Sequence, residues 1–193
     1  MHRSISGFGS RVKGCAWVLA AFLVLLVLPL RADDAAADGL RIKAAEIYHF
    51  VEYTTWPARV LPDPASPILI GLLGDDPLAE HLKALEGKKI GTHPILYRPC
   101  HTVEEARTCQ VLVLYIPDDP RGGLRAALSG LDSLNVLTIG EGSGFAKAGG
   151  IIGFDEVDHQ LRFIINAPAA ERAGLKLSSQ LLKLARPMPG GGP

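Results

Sequence analysis

The chain has 193 residues with 20 basic and 20 acidic side chains, and 48% of its residues are hydrophobic. That length suits one domain with a substantial core. The balance of charge argues against a nucleic-acid partner.

Residues 1–14 contain Arg3, Arg11 and Lys13 and no acid, and the apolar run Ala16–Leu28 follows. Pro29-Leu-Arg-Ala32 and then Asp33-Asp-Ala-Ala-Ala37 close it. A basic start, a short apolar stretch and small residues predict a secretory signal over 1–32, with Ala37 as a later acceptable end. A membrane span needs about 20 apolar residues, more than this run supplies. Cys15 precedes the apolar run, the wrong side for a lipoprotein cysteine, so the expected product is a soluble exported, periplasmic protein. Removing the four basic residues of 1–32 (Arg3, Arg11, Lys13, Arg31) leaves 16 basic against 20 acidic side chains, a net charge of −4.

Residues 39–55 read as a helix, with Leu40, Ala44, Ile47 and Val51 on one stripe that Phe50 widens; Pro57 stops it. Pro62, Pro64 and Pro67 mark a loop. Ile68–Leu73 is an unbroken apolar run, as in a strand covered on both faces. Gly74-Asp-Asp-Pro77 turns the chain into a helix with Asp76 as cap and Pro77 at its first position, ended by Gly87. Further strands are expected at 94–98, 111–116 and 136–139, with short helices at 102–107 and 123–131. A helical turn at 145–148 leads to a hairpin of 151–154 with 160–165. Helices at 168–173 and 178–185 close a domain over 39–186, and the Pro/Gly tail 187–193 is expected to be disordered. Apolar strands separated by helices predict a single three-layer α/β domain of Rossmann or flavodoxin type, with a mostly parallel sheet of about six strands.

Cys100 and Cys109 are the cysteines outside the expected leader. In an oxidising compartment a disulfide between them is expected, contributing about 2–3 kcal/mol by the chain-entropy argument. A zinc site needs further ligands, and adjacent Cys100 and His101 make joint ligation awkward. A catalytic redox pair usually reads C-x-x-C. Two free thiols, or bridges to another chain, complete the alternatives.

The loop Gly140-Glu-Gly-Ser-Gly144 lacks the G-x-G-x-x-G spacing and the lysine of a phosphate cradle, so it reads as a turn. Glu46, His49 and Glu52 share part of the first helix but read as a solvated polar face. Ser178 lacks a G-x-S-x-G elbow and reads as a helix cap, which leaves an exported hydrolase as a minor alternative. Neither cofactor nor metal is expected. Phe50, Tyr53 and Trp56 run down the end of the first helix, and Trp56 is either a packing plug or an aromatic anchor for a partner. The leucine-rich ending, residues 174–185, is either core or an apolar contact patch.

At these residues a resemblance enters. RIKAAEIYHFVEYTTWP (41–57) resembles the opening signature of the YfiR-like family of exported bacterial proteins. ILIGLLGDDPLAEHLKALEGKKIGTHPI, CQVLVLYIP, NVLTIGEGSGFAKAGGIIGF and LRFIINAPAAERAGLKLSSQLLKLA follow in an order similar to that family, over residues 40–186. The resemblance implies a regulator, not an enzyme: a periplasmic protein that binds the sensor domain of an inner-membrane diguanylate cyclase and lowers cyclic di-GMP. It also implies an outer-membrane lipoprotein that sequesters the regulator, redox sensitivity and homodimers; the two cysteines here exclude a more elaborate disulfide set. Trp56, Leu175, Leu177, Leu181 and Leu182 are expected to serve as fold or contact residues. Arg172 and Lys176 are placed at the rim, and Arg162 and Asn166 as polar contacts. The alternative is a small-ligand sensor using the sheet's carboxyl edge near Asp75, Asp76 and Gly140–Gly144.

Overall fold

The computed structural model of the chain describes residues 36–117, 123–132, 134–158 and 160–188. The expected leader over 1–32, and the expected tail beyond residue 188, lie outside them. The chain divides into two units, Met1–Gly39 and Leu40–Pro193. Residues 36–39 of the first are helical and exposed.

The second unit opens with helix α1 (residues 40–52). In chain order there follow β1 (Thr54–Thr55), β2 (Ile68–Leu73), α2 (Leu78–Lys83), β3 (Lys89–Ile90), β4 (His93–Cys100), α3 (Val103–Thr108) and β5 (Val113–Ile116). Then come α4 (Leu124–Ser129), β6 (Leu137–Glu141), α5 (Gly142–Lys147), β7 (Ile152–Val157), β8 (Gln160–Ile165), α6 (Ala167–Arg172), β9 (Lys176–Leu177) and α7 (Ser179–Leu184).

Helix α1 buries Ala44, Ile47, Phe50 and Val51, the spacing of one helical face. It ends at residue 52 rather than the expected 55. The Thr54 hydroxyl donates to the Phe50 carbonyl at 2.6 Å, and the β-branched pair Thr54–Thr55 leaves the helix to form β1. β1 pairs antiparallel with β9, a two-stranded sheet absent from the sequence reading.

The main sheet has seven strands in the order β3-β4-β2-β5-β6-β7-β8. It is mixed. β4, β2, β5, β6 and β7 run parallel to their neighbours, whereas β3 and β8 pair antiparallel at the two edges. The expected count of about six strands missed β3. That two-residue strand is too short to show a period, and it turns back on β4 through Gly91, whose φ is +60°.

Alternation along the inner strands divides the core. In β5, Val113 and Tyr115 enter one apolar cluster, with Ile47, Phe50, Leu82 and Leu181. Leu114 and Ile116 enter a second, with Ala106, Leu128 and Phe145. Successive side chains point to opposite faces, so α1, α2, α6 and α7 cover one side of the sheet and α3, α4 and α5 the other. This is why the inner strands read as continuous apolar runs rather than alternating ones. The glycines of 140–150 serve the second cluster. A Cβ at Gly140 or at Gly150 would overlap the Phe145 ring, so the aromatic side chain is seated between two positions that only glycine can fill.

Candidate functional site

The two ends of the folded unit meet at one junction. β1 pairs Thr54 with Leu177 and Thr55 with Lys176, and the Ser178 amide donates to the Tyr53 carbonyl at 2.9 Å. Asn135, just before β6, ties the segments that flank this ladder. Its carbonyl accepts from Trp56 Nε1 at 3.0 Å, its Oδ1 accepts from Arg59 Nη2 at 3.1 Å, and its Nδ2 donates to the Ala173 carbonyl at 2.5 Å. Asn135 is buried and holds φ at +58°, a left-handed conformation that asparagine tolerates better than most residues. Gly174 follows with φ at +72°, and a Cβ there would stand 2.7 Å from Asn135 Nδ2. The W-P and R-A-G-L-K segments, about 120 residues apart in the chain, are therefore neighbours through one buried amide.

This geometry sorts the sequence-predicted residues. Trp56, 8% exposed, belongs to the core with its indole N–H satisfied by the Asn135 carbonyl. Leu175 and Leu181 are also buried, and Leu177 packs against the same cluster from a half-buried position. Asn166 is buried. Its Nδ2 donates to the Ala146 carbonyl at 2.8 Å and its Oδ1 accepts from the Ala169 amide at 3.1 Å, so it caps α6 rather than facing solvent. Arg162 lies on edge strand β8, outside the junction, opposite Asp155 and bonded to Gln160. Arg172, Lys176 and Leu182 are exposed. Arg59 and Leu184 join them on the surface, and Leu184 is the most exposed large apolar side chain among the described residues, at 69%. Arg59, Arg172 and Lys176 are exposed cations near the junction, whereas the leucines Leu182 and Leu184 are exposed on α7, whose end lies against β8 through the Arg186 amide and the Phe163 carbonyl at 2.9 Å. Sequence reasoning missed Arg59 and Asn135, and did not single out Leu184 within the leucine-rich ending. The left-handed asparagine leaves no periodic signal, and the inner and outer faces of a six-residue leucine-rich helix cannot be told apart by pattern alone.

At the sheet's carboxyl edge, Asp76 and Glu141 make internal contacts and Asp75 borders open space. Asp76 Oδ1 accepts from the Leu78 amide at 2.7 Å and caps α2, as its place before Pro77 suggested. Asp75 lines an open pocket of about 400 Å³ with Gly74, Pro77 and Tyr97. Glu141 accepts from Lys43 Nζ at 2.7 Å and from the Tyr115 hydroxyl at 2.5 Å, which fastens α1 over the ends of β5 and β6. His49 faces Glu52 at 3.3 Å on the exposed side of α1. Ser178 accepts from the Leu181 amide at 3.2 Å and caps α7.

Between the cysteines, Thr102 caps α3 and Glu105 reaches back to the residue before the cap. Thr102 Oγ1 accepts from the Glu105 amide at 3.1 Å, and Glu105 Oε2 accepts from the His101 amide at 2.7 Å. Both cysteines are free thiols in this structure, so the expected bridge is not formed in it. Cys100, at the end of β4, is buried in the second cluster with Sγ 3.6 Å from the Arg98 carbonyl, whereas Cys109 is exposed at the end of α3. Burial, then the charges of Cys109 and Glu105, push the Cys100 thiol up to about 11. Because its folded value lies above the ordinary 9, the contribution to stability is complete below pH 9 and is lost as pH rises toward 11. The expected result is that urea stability of the reduced protein falls from pH 8 to pH 10 more in the native chain than in Cys100→Ala. Equal falls would contradict it.

Comparison with known proteins places this arrangement. Residues 40–186, well over half of the chain, match the YfiR/HmsC-like family. The chain belongs to that family. That membership points to a periplasmic regulatory role in cyclic di-GMP signalling. No curated protein matches. Among solved structures, a conserved domain protein from Vibrio cholerae O1 biovar eltor is similar at 14% identity and a TM-score of 0.48, covering 67% of this chain and 56% of that one. The chain thus spans little more than half the length of that protein.

Proposed function

We propose that this chain is an exported periplasmic protein that binds the sensor domain of an inner-membrane signalling protein, represses a diguanylate cyclase and lowers cyclic di-GMP. The observation that carries the reading is the junction: both ends of the family's segment are fixed around Asn135, and Arg59, Arg172, Lys176, Leu182 and Leu184 are left exposed. Exposed cations near the junction suit an acidic partner surface, and the exposed leucines of α7 suit an apolar one. Repression requires that this surface bind the inactive conformation of the sensor more tightly than the active one. An outer-membrane lipoprotein would compete for the same surface, and a homodimer would present it twice.

Deleting the gene is expected to raise cyclic di-GMP. Native protein should restore the low level, and an Arg172→Glu/Lys176→Glu variant that still folds should not. Full restoration by the charge-reversed protein would contradict the role of these cations. In the oxidised periplasm Cys100 and Cys109 become bridged across α3, and reduction is then expected to lower the melting temperature. An unchanged melting curve in dithiothreitol, with loss of the bridge confirmed by mass, would contradict that step.

A further inference from the structure

A second feature lies away from the junction, between α1 and the segment from α2 to Lys88. A groove of about 450 Å³ opens there, within the size range of small-molecule sites. Its formation is a matter of side-chain size. Ala44 and Ala45 of α1 face Ala84 just past α2, so the two segments meet without filling the space between them. Ala44 and Leu85 form a buried apolar floor. Tyr48 forms one wall, held in place by its hydroxyl, which donates to the Lys89 carbonyl at 2.9 Å.

The polar lining holds two cations, two histidines and the Tyr48 ring. Arg41, His81 and Lys88 stand around the mouth, and His49, turned toward Glu52, completes the set. Among the described residues no acid lines the groove, although acids outnumber bases in the chain beyond residue 32. Lys88 Nζ lies 5.7 Å from the centre of the Tyr48 ring, which places an ammonium over an aromatic face at the entrance. An apolar floor beneath a cationic mouth is complementary to an amphiphilic anion. The body would lie on Ala44, Ala84 and Leu85, and the charged head would stay at the rim near Lys88.

We propose that the α1/α2 groove is a binding site for a small carboxylate with an aliphatic body, such as a medium-chain fatty-acid anion. This goes beyond the regulatory reading and does not rest on it. The apolar chain supplies hydrophobic contact, and the carboxylate supplies charge-assisted contact with the basic rim.

The test is calorimetric titration of the purified protein with sodium decanoate, with acetate and decanol as probes that carry only the head or only the tail. Saturable decanoate binding is expected, with acetate and decanol each binding at least about tenfold more weakly. Ala84→Trp, at an exposed position, fills the groove and should abolish binding. Lys88→Glu, also exposed, should weaken it about tenfold or more. Circular dichroism and melting temperature should stay unchanged in both variants. Absence of saturable decanoate binding to the native protein would overturn the proposal, and so would binding that survives Ala84→Trp. Because the groove is distinct from the Asn135 junction, capture of a membrane partner should persist in both variants, which separates failure of this site from failure of the regulatory reading.

Discussion

Asn135→Ala is expected to cost about 3 kcal/mol of stability and to lower the melting temperature by roughly 10 °C for a domain of this size. Two terms combine. The Ala173 carbonyl and the Arg59 guanidinium lose the amide that pairs them, and an unsatisfied buried partner costs about 1–3 kcal/mol. The backbone must also hold φ at +58° with an alanine, which costs a further 1–2 kcal/mol or about that. Asn135→Gly separates the terms, because glycine relieves the backbone penalty and leaves only the lost hydrogen bonds. Thermal unfolding should therefore rank the native chain above Asn135→Gly and Asn135→Gly above Asn135→Ala. Equal melting of all three would mean that the amide does not hold the junction. Loss of partner capture in Asn135→Gly, at a temperature where it remains folded, would connect this amide to the exposed surface it supports.

The largest effect is expected at Phe145. Truncation to alanine removes a 2%-exposed ring from the second apolar cluster, and such changes typically cost about 3–5 kcal/mol. Gly150→Ala should also destabilise, by about 1–3 kcal/mol, because its Cβ overlaps the same ring. The two changes should not add. With Phe145 truncated, the new methyl group occupies the vacated space, and Gly150→Ala becomes neutral or stabilising. A double-mutant cycle in urea measures the coupling. An additive result would show that the ring is not what makes position 150 accept only glycine.

Much of the fold was legible in the sequence. The apolar run at 68–73, the Asp76 cap and the 160–165 strand stand where periodicity and turn chemistry put them, and the strand expected at 111–116 covers its last four residues, Val113–Ile116. The edges were less legible. Lys89–Ile90 and Thr54–Thr55 are too short to carry a period, and their strand character comes from the partner they meet. The surface was legible only in part. Arg172, Lys176 and Leu182 are exposed as a contact role requires, whereas Trp56, Leu175, Leu181 and Asn166 are buried in the structure that presents them. A leucine-rich segment announces burial without saying which leucines are left out, and Asn135 acts through one left-handed backbone angle and three hydrogen bonds that no pattern in the chain encodes.

The most direct test of the regulatory account is site-specific photo-crosslinking in the living periplasm, with the photoreactive residue at Lys176 and a control at exposed Arg162 on β8. The account predicts that the Lys176 probe captures an inner-membrane protein carrying a cytoplasmic cyclase domain, and that the Arg162 probe does not. Capture of that protein from Arg162 but not from Lys176, or of no membrane protein from Lys176 while cyclic di-GMP stays unchanged on deletion, would contradict it.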